Sequence, residues 1–240
     1  MRINEQKELT VGELVVEDPS RARVFEHFGI DYCCGGKIPL AEACAKRGSD
    51  LDAVLKALHK SSANTSPESQ KDWLQESMTS LVDHIVTTHH AYLREEFPRL
   101  TKMTERVAQV HGERHSELPE VRDVFAALRN ELEMHMQKEE QILFPLIKQL
   151  DSGVAGGAAG HCGTIANPIN MMEQEHDSAG DALGTLRELT GGFVVPVDAC
   201  NTYRVMLDSL AKLEVDLHLH IHKENNILFP KALAAETETH

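Results

Sequence analysis

The sequence lacks the features of a membrane or secreted protein. No apolar run in its 240 residues approaches the roughly 20 residues that a membrane-spanning helix needs. The opening segment, MRINEQKELTVGELVVEDPS, is charged throughout, whereas a secretory signal peptide has an apolar centre. We therefore expect a cytoplasmic protein that does not bind membranes.

Basic residues and β patterns are also scarce. The chain has 24 Lys and Arg against 38 Asp and Glu, a formal net charge of −14, and no basic cluster offsets it. Because this charge repels phosphates, we do not expect nucleic acid to be a partner. Alternating apolar and polar residues are nearly absent, so the composition, 41% hydrophobic and 26% charged, indicates a globular protein built of helices.

The chain divides into a short first part and a long second part. Residues 1–60 contain short amphipathic segments around the turn GIDYCCGGKIP, which predicts a small helical domain. Residues 61–70, SSANTSPESQ, have the composition of a linker. From residue 71 to residue 240, four long amphipathic segments lie at about 71–110, 119–149, 166–190 and 197–233. The pattern predicts an all-α fold in which an up-down four-helix bundle follows the small domain.

One eleven-residue phrase occurs twice in the bundle. HMQKEEQILFP, residues 135–145, returns as HIHKENNILFP, residues 220–230, with seven identical positions. His90 precedes His135 by 45 residues, and His176 precedes His220 by 44. Each half of the bundle is therefore predicted to be a helical hairpin, with a lone His on its first helix and a His-x-x-x-Glu motif on its second.

Apolar neighbours indicate which way these motifs face. A single His-x-x-x-Glu pair is typical of a solvent-exposed helix surface, since both side chains share one face. Here Leu or Ile stands at offsets −7, −3, +7 and +8 from each motif histidine. These are Leu128, Leu132, Ile142 and Leu143 in the first copy and Leu213, Leu217, Ile227 and Leu228 in the second. Burying the two motif glutamates costs several kcal/mol each, and no Lys or Arg stands at a matching offset, so we expect a bound cation.

The two lone histidines complete a candidate metal centre. Alone, each is more typical of a hydrogen-bonded core histidine, and His84 and His89 compete with His90. The predicted ligands are His90, His135, Glu139, His176, His220 and Glu224. Six ligands exceed what one zinc or one mononuclear iron uses, and imidazole with carboxylate favours iron over the alternative, manganese. We expect two iron ions, bridged by the glutamates and an oxo or hydroxo group, with about two positions open for a small diatomic ligand.

Four motifs together resemble one known family. They are DYCCGGK at 31–37, HMQKEEQILFPLIKQ at 135–149, MEQEHDSAG at 172–180 and HIHKENNILFP at 220–230. Their combination and order are similar to those of the repair-of-iron-centres proteins, di-iron proteins with a hemerythrin-like bundle and an N-terminal ScdA-type cysteine domain. The resemblance covers nearly the whole chain and implies the same six iron ligands. For the first of them, DHIVTTHHAYLREEFP at 83–98 favours His90.

The resemblance implies a role in stress response. One implied function is repair of iron-sulfur clusters damaged by nitric oxide or peroxide, by supplying iron; the clients are then damaged iron-sulfur proteins. The alternative is binding or reduction of nitric oxide at the di-iron centre, which would make the protein an enzyme. A purely structural metal is disfavoured, because more than 160 residues of amphipathic helix bury a sufficient core without it. The protein is expected to be a monomer or a homodimer.

The five cysteines do not form a disulfide framework. Their number is odd, so thiols are expected in a reducing compartment. Cys33 and Cys34 allow two interpretations: thiols in a turn whose glycines supply positive φ, or a reactive site that passes electrons, accepts iron or is nitrosylated. The resemblance gives the second interpretation the same weight as the first, and both stay open. A contribution from Cys44 stays open, although its helical surroundings, LAEACAKR, are ordinary, and no such role is expected for Cys162, Cys200 and His161.

Overall fold

A computed structural model of the chain describes residues 8–61, 72–153 and 164–238. The chain separates into two compact units: Met1–Leu81 with His218–His240, and Val82–Leu217. The α-helices are α1 (Val11–Glu17), α2 (Ala22–Phe28), α3 (Leu40–Arg47), α4 (Leu51–Ser61), α5 (Met78–His84), α6 (Ala91–His111), α7 (Leu118–Lys138), α8 (Phe144–Asp151), α9 (Ala166–Leu189), α10 (Asn201–Lys223) and α11 (Phe229–Glu238). In the described ranges, β-structure is limited to one bridge between Thr10 and Pro39, so the all-α prediction is confirmed.

Helices α5 to α11 form four rods, as the sequence predicts. The first rod is α5 and α6 joined by a π-helical segment, Ile85–His90. The second is α7 and α8 joined by the π segment Glu139–Leu143, and the third is α9 alone. The fourth is α10 and α11 joined by the π segment Glu224–Leu228. The first rod begins at Met78 and the fourth at Asn201, each a few residues after the predicted start.

Helices α1 to α4 share a core of their own. Phe25, Tyr32, Leu40 and Leu58 are among the side chains fully buried in it. A capping box begins α1: the Thr10 hydroxyl accepts a hydrogen bond from the Glu13 amide, and the Thr10 amide donates to the Glu13 carboxylate. Such a cap satisfies backbone donors that the first helical turn leaves open. The first block of the sequence therefore folds as short helices around the turn that carries Cys33 and Cys34.

The unit Val82–Leu217 contains the centre of the four-helix bundle. Its core takes residues from α6, α7, α9 and α10, for example Phe97, Phe125, Leu183 and Leu210. Because each helix buries one apolar stripe against the other three, polar residues cover the outer faces. The predicted bundle is confirmed.

The three π segments were not predicted, but proline explains two of them. Pro145 and Pro230 are the last residues of the two copies of the repeated phrase, six residues after Glu139 and Glu224. Proline has no amide hydrogen and its ring clashes with the carbonyl four residues earlier, so the turn before it widens. The widened turn begins at the glutamate in both copies.

One residue of the predicted apolar stripes is exposed. Ile142 is 48% exposed, whereas the matching Ile227 is buried. The difference follows from the neighbouring helix, since α1 packs against the π segment that contains Ile227. The other six flanking residues are buried as predicted.

No helix in the described ranges is long and apolar enough to cross a membrane.

We predict that Leu207→Ala on α10 destabilises the protein by about 2–5 kcal/mol, because Leu207 is fully buried in the bundle core and a cavity would remain. Val205 is 44% exposed on the same helix, so Val205→Ala is the matched control and should change stability by less than about 0.5 kcal/mol. Urea unfolding followed by circular dichroism measures both. Equal losses in the two variants would contradict the bundle core.

Candidate metal centre

Four of the predicted ligands converge in the unit Val82–Leu217. Nε2 of His90 lies 3.3 Å from one oxygen of Glu139, and Nε2 of His135 lies 3.4 Å from the other. Nε2 of His176 lies 3.0 Å from Nε2 of His135. All four side chains are buried. Three rods thus bring three imidazole nitrogens and a carboxylate to one place.

Two further carboxylates orient the imidazoles of this cluster. Nδ1 of His90 lies 2.6 Å from Glu140, and Nδ1 of His135 lies 2.9 Å from Glu175. An ionised carboxylate only accepts hydrogen bonds, so Nδ1 of each histidine must be the donor. In the neutral imidazole, Nε2 then carries the lone pair and faces Glu139. Metal-binding histidines typically have this arrangement, with a carboxylate behind the ring.

Both orienting carboxylates are held in the ionised form. Burial alone would raise the pKa of Glu140, but hydrogen bonds from His90 and Arg94 outweigh it and lower the pKa below the usual value. The pKa of Glu175 is lowered in the same way, with Lys138 and His135 outweighing burial. At neutral pH the two groups therefore act as acceptors.

The remaining two predicted ligands lie in the other unit. His220 is on α10, and Glu224 begins the π segment that follows. Nε2 of His220 is 3.1 Å from one oxygen of Glu224, and both side chains are buried. The spacing of four residues puts both on one helix face, as the sequence predicts.

The donor set fits iron. Glu139 and Glu224 are both 0% exposed, and an ionised carboxylate in such surroundings needs positive charge nearby. Imidazole nitrogen and carboxylate oxygen are borderline and hard ligands, which iron and manganese accept together. No thiolate belongs to either set.

The structure separates the adjacent histidines of the first rod. His90 faces Glu139, as stated above. Nδ1 of the neighbouring His89 lies 2.9 Å from the carboxylate of Asp216. His84 lies one turn earlier, with Nδ1 3.2 Å from the Thr88 hydroxyl. Of the three, only His90 is placed beside another predicted ligand of the described structure.

The cysteine loop forms a second group of metal-binding side chains. A carboxylate oxygen of Asp31 and the sulfurs of Cys33 and Cys34 lie within 4.8 Å of one another. The sulfurs are 3.9 Å apart, and the described cysteines form no disulfide, as predicted. A hydrogen bond with Cys34, burial and nearby negative charge raise the pKa of Cys33 well above its usual value. Without a cation, Cys33 is therefore a protonated thiol.

The glycines after these cysteines allow a close approach of two segments, which was not predicted. Neither Gly35 nor Gly36 has positive φ. A Cβ on Gly36 would lie 2.6 Å from both the Asn226 side chain and the Tyr32 carbonyl. Glycine is needed here because the loop approaches another segment closely, and the prediction of positive φ was wrong.

Asn226 lies on the fourth rod, in the same stretch as His220 and Glu224. The Asn226 amide donates to the carbonyl of Cys33 at 3.2 Å. Nδ1 of His222 donates to the carbonyl of Tyr32 at 3.3 Å, and burial lowers the pKa of His222 to about 4, so the ring stays neutral. Hydrogen bonds thus attach the loop with the two cysteines to the fourth rod, where α10 meets the π segment.

Sequence reasoning missed four of the residues described here. They are Glu140, Glu175, His222 and Asn226. Each adjoins a predicted ligand in the sequence or lies two residues from one, so proximity to a ligand was the available signal. His161 and Cys162, for which no role was expected, lie outside the described residues.

Comparison with known proteins identifies the family. The Hemerythrin HHE cation binding domain matches residues 81–232, and ScdA_N, a Domain of Unknown function (DUF542), matches residues 7–62. The chain is 38% identical to the iron-sulfur cluster repair protein YtfE of Yersinia pestis (strain Pestoides F), over 95% of this chain and 97% of the relative. The YtfE of Yersinia pseudotuberculosis serotype O:1b (strain IP 31758) matches with the same identity and coverage. The chain therefore belongs to the repair-of-iron-centres family, and its hemerythrin domain contains all six predicted metal ligands.

Proposed function

We propose that this protein repairs iron-sulfur clusters damaged by nitrosative or oxidative stress, and that it does so by supplying iron. The names of its relatives support the first part of the proposal. The second part, the supply of iron, is supported by the buried His and Glu cluster of the hemerythrin domain. Such nitrogen and oxygen donors bind iron in an ionic, exchangeable state. The partners are damaged iron-sulfur proteins in the cytoplasm.

We propose that the two sets of ligands form one binuclear centre. The ligands are His90, His135, Glu139, His176, His220 and Glu224. The internal repeat supports this, since each half supplies one lone histidine and one His-x-x-x-Glu motif. Each half also buries one glutamate completely, so each needs a cation. When bound, two iron ions would supply Lewis acidity, redox chemistry and open positions for a small ligand such as nitric oxide.

The chain's own residues hold and release this iron. The Glu140 and Glu175 carboxylates fix Nδ1 of His90 and His135, so Nε2 is available without a rotation or a proton transfer. Phe144 stacks on the His90 ring, with centroids 5.8 Å apart, and limits water there. Protonation of the imidazoles would weaken iron binding, which gives the protein a way to release its cargo.

We propose that Cys33 and Cys34 accept iron on its way out. Asp31 and the two sulfurs form a three-ligand group, and Asn226 fastens their loop to the segment that contains Glu224. The raised pKa of Cys33 disfavours a thiolate acting on its own, whereas a bound cation deprotonates a coordinating thiol. Iron transfer therefore fits these thiols better than electron transfer.

We propose the same three domain boundaries that the sequence predicts. Residues 1–60 are the small cysteine domain, 61–70 are the linker, and 71–240 are the di-iron bundle. The two family matches, over residues 7–62 and 81–232, support this division. We propose that the protein works as a monomer or a homodimer.

Iron content tests the centre itself. We predict two irons per chain in the intact protein and one or none in Glu139→Gln and in Glu224→Gln, because each variant replaces a charged bridging ligand with a neutral amide. Glu131 is exposed on the same helix as His135, so Glu131→Gln is the control and should retain two irons. Elemental analysis after desalting measures all four proteins. Two irons in either ligand variant would contradict the ligand set.

The orienting carboxylates are tested by Glu175→Gln. The loss of charge behind His135 should weaken iron retention about tenfold to a hundredfold, with the fold unchanged. Glu188→Gln, an exposed position on the same helix, is the control. The rate of iron loss to a strong ferrous chelator measures the effect. Equal rates in the two variants would show that Glu175 has no orienting role.

Iron delivery is tested with a purified dehydratase whose [4Fe–4S] cluster has been damaged by nitric oxide. The reduced protein should restore its activity, and Cys33→Ser/Cys34→Ser should restore it at least about tenfold more slowly while retaining two irons. Glu131→Gln, at an exposed position on α7, is the control and should act like the unchanged protein.

The same preparation distinguishes the alternative function. Production of nitrous oxide over many turnovers with an electron donor, without any recovery of the dehydratase, would contradict iron supply and favour a nitric oxide reductase.

A further inference from the structure

A further group of His, Asp and Cys side chains lies at the other end of the bundle helices. It consists of His111, His115, Asp198 and Cys200, and we call it the loop cluster. His111 ends α6, and His115 follows one turn later, since its amide donates to the His111 carbonyl. Asp198 and Cys200 stand just before α10. At 1.5 Å per residue, His111 is about 30 Å along the helix from His90, so the loop cluster is separate from the iron ligands.

The loop cluster consists of two close pairs. Nε2 of His111 lies 3.2 Å from Sγ of Cys200. Nε2 of His115 lies 3.1 Å from one oxygen of Asp198 and 3.2 Å from the other. Neighbouring ligand atoms on a tetrahedral zinc ion are about 3.4 Å apart, as bond lengths of about 2.0–2.3 Å require. Each pair already has the separation of two ligands on one ion.

The two pairs are neighbours, and a shared ion would have to draw them together, because no three of their donor atoms lie within 4.8 Å of one another. The imidazole centroids of His111 and His115 are 6.4 Å apart, and both rings pack against the buried ring of Tyr203, at 5.4 and 5.6 Å. Two imidazoles on one tetrahedral zinc have their centroids about 5 Å apart. Side-chain rotations are needed to close the difference, and Asp198 and Cys200 are exposed, so both have room to rotate.

The ring of His115 is also oriented as a metal ligand would be. Its Nδ1 lies 3.3 Å from the carboxylate of Glu117, while Nε2 faces Asp198. This is the arrangement of a carboxylate behind a histidine that His90 and His135 show in the candidate metal centre. The hydrogen bond with His115 lowers the pKa of Asp198, so the Asp198 carboxylate beside the ring is ionised at neutral pH.

We propose that His111, His115, Asp198 and Cys200 bind one divalent cation of the zinc type. The H-x3-H spacing of the histidines is common in zinc sites, and D-x-C brings the other two ligands from one short segment. A thiolate with two imidazoles and a carboxylate suits a borderline-soft tetrahedral ion, whereas the iron ligands include no sulfur. The ion would tie the turn after α6 to the segment that begins α10.

Cobalt spectroscopy tests the proposal on the full chain loaded with iron. Cys33→Ser/Cys34→Ser is the starting protein, because it removes the other described thiol group that could bind metal. One equivalent of Co²⁺ should give a thiolate-to-cobalt charge-transfer band, and one equivalent of Zn²⁺ should bleach it. Adding Cys200→Ser should abolish the band. Adding His111→Gln or His115→Gln should weaken Zn²⁺ competition at least about tenfold, whereas His59→Gln, an exposed control, should not.

Three outcomes would overturn the proposal: no band in the starting protein, a band that survives Cys200→Ser, or a band unaffected by both histidine variants. Cobalt that binds at the iron site by mistake cannot produce the band, because no sulfur ligand is present there. Alkylation of Cys200, followed by mass spectrometry, is an independent measurement that needs no variant. Zn²⁺ should slow it at least about tenfold, and an unchanged rate would contradict the site.

Discussion

The burial of two carboxylates is the constraint on which this structure depends. Glu139 and Glu224 have no exposed surface, and each lies in a helix whose buried face is mainly apolar. An ionised carboxylate costs several kcal/mol in such surroundings unless positive charge compensates it. Histidines flank both glutamates, but neutral imidazole supplies lone pairs rather than charge. The arrangement is therefore that expected of a cation-binding site, and it supports the proposal that the histidines are ligands.

π-Helical segments and orienting carboxylates help to place the proposed ligands, and the helical period of the sequence predicts neither. Glu139 and Glu224 each begin a π segment, and His90 ends one, so three of the four rods depart from regular α-helix where a proposed ligand lies. π-Helical turns often occur at functional sites because they redirect side chains. Glu140 and Glu175 then fix the histidine rings. Asn225 stands in the second copy where Glu140 stands in the first. The repeat therefore keeps the proposed ligands but not the carboxylate next to them.

The sequence predicted the ligands because they belong to a repeat with the period of a helix. Seven identical positions in eleven and apolar residues at fixed offsets sufficed to predict the bundle and the two motifs, and the imidazole and carboxylate donors led to the prediction of iron. Contacts between distant segments could not be predicted in this way. Ile142 is exposed and Ile227 buried because α1 covers only the second, and Gly36 is required by the approach of Asn226 rather than by its own φ. Both depend on which segments meet, which a single sequence does not record.

The proposed chemistry connects the buried ligands with the thiols of the cysteine loop, which Asn226 and His222 fasten to the segment that contains Glu224. Iron held by exchangeable nitrogen and oxygen ligands can leave, and thiols beside a carboxylate can receive it. Anomalous diffraction at the iron absorption edge, from crystals of the iron-loaded protein, tests the central claim most directly. We predict two iron peaks, each within bonding distance of one oxygen of Glu139 and one oxygen of Glu224. One peak, a zinc signal, or either glutamate facing solvent would contradict the account.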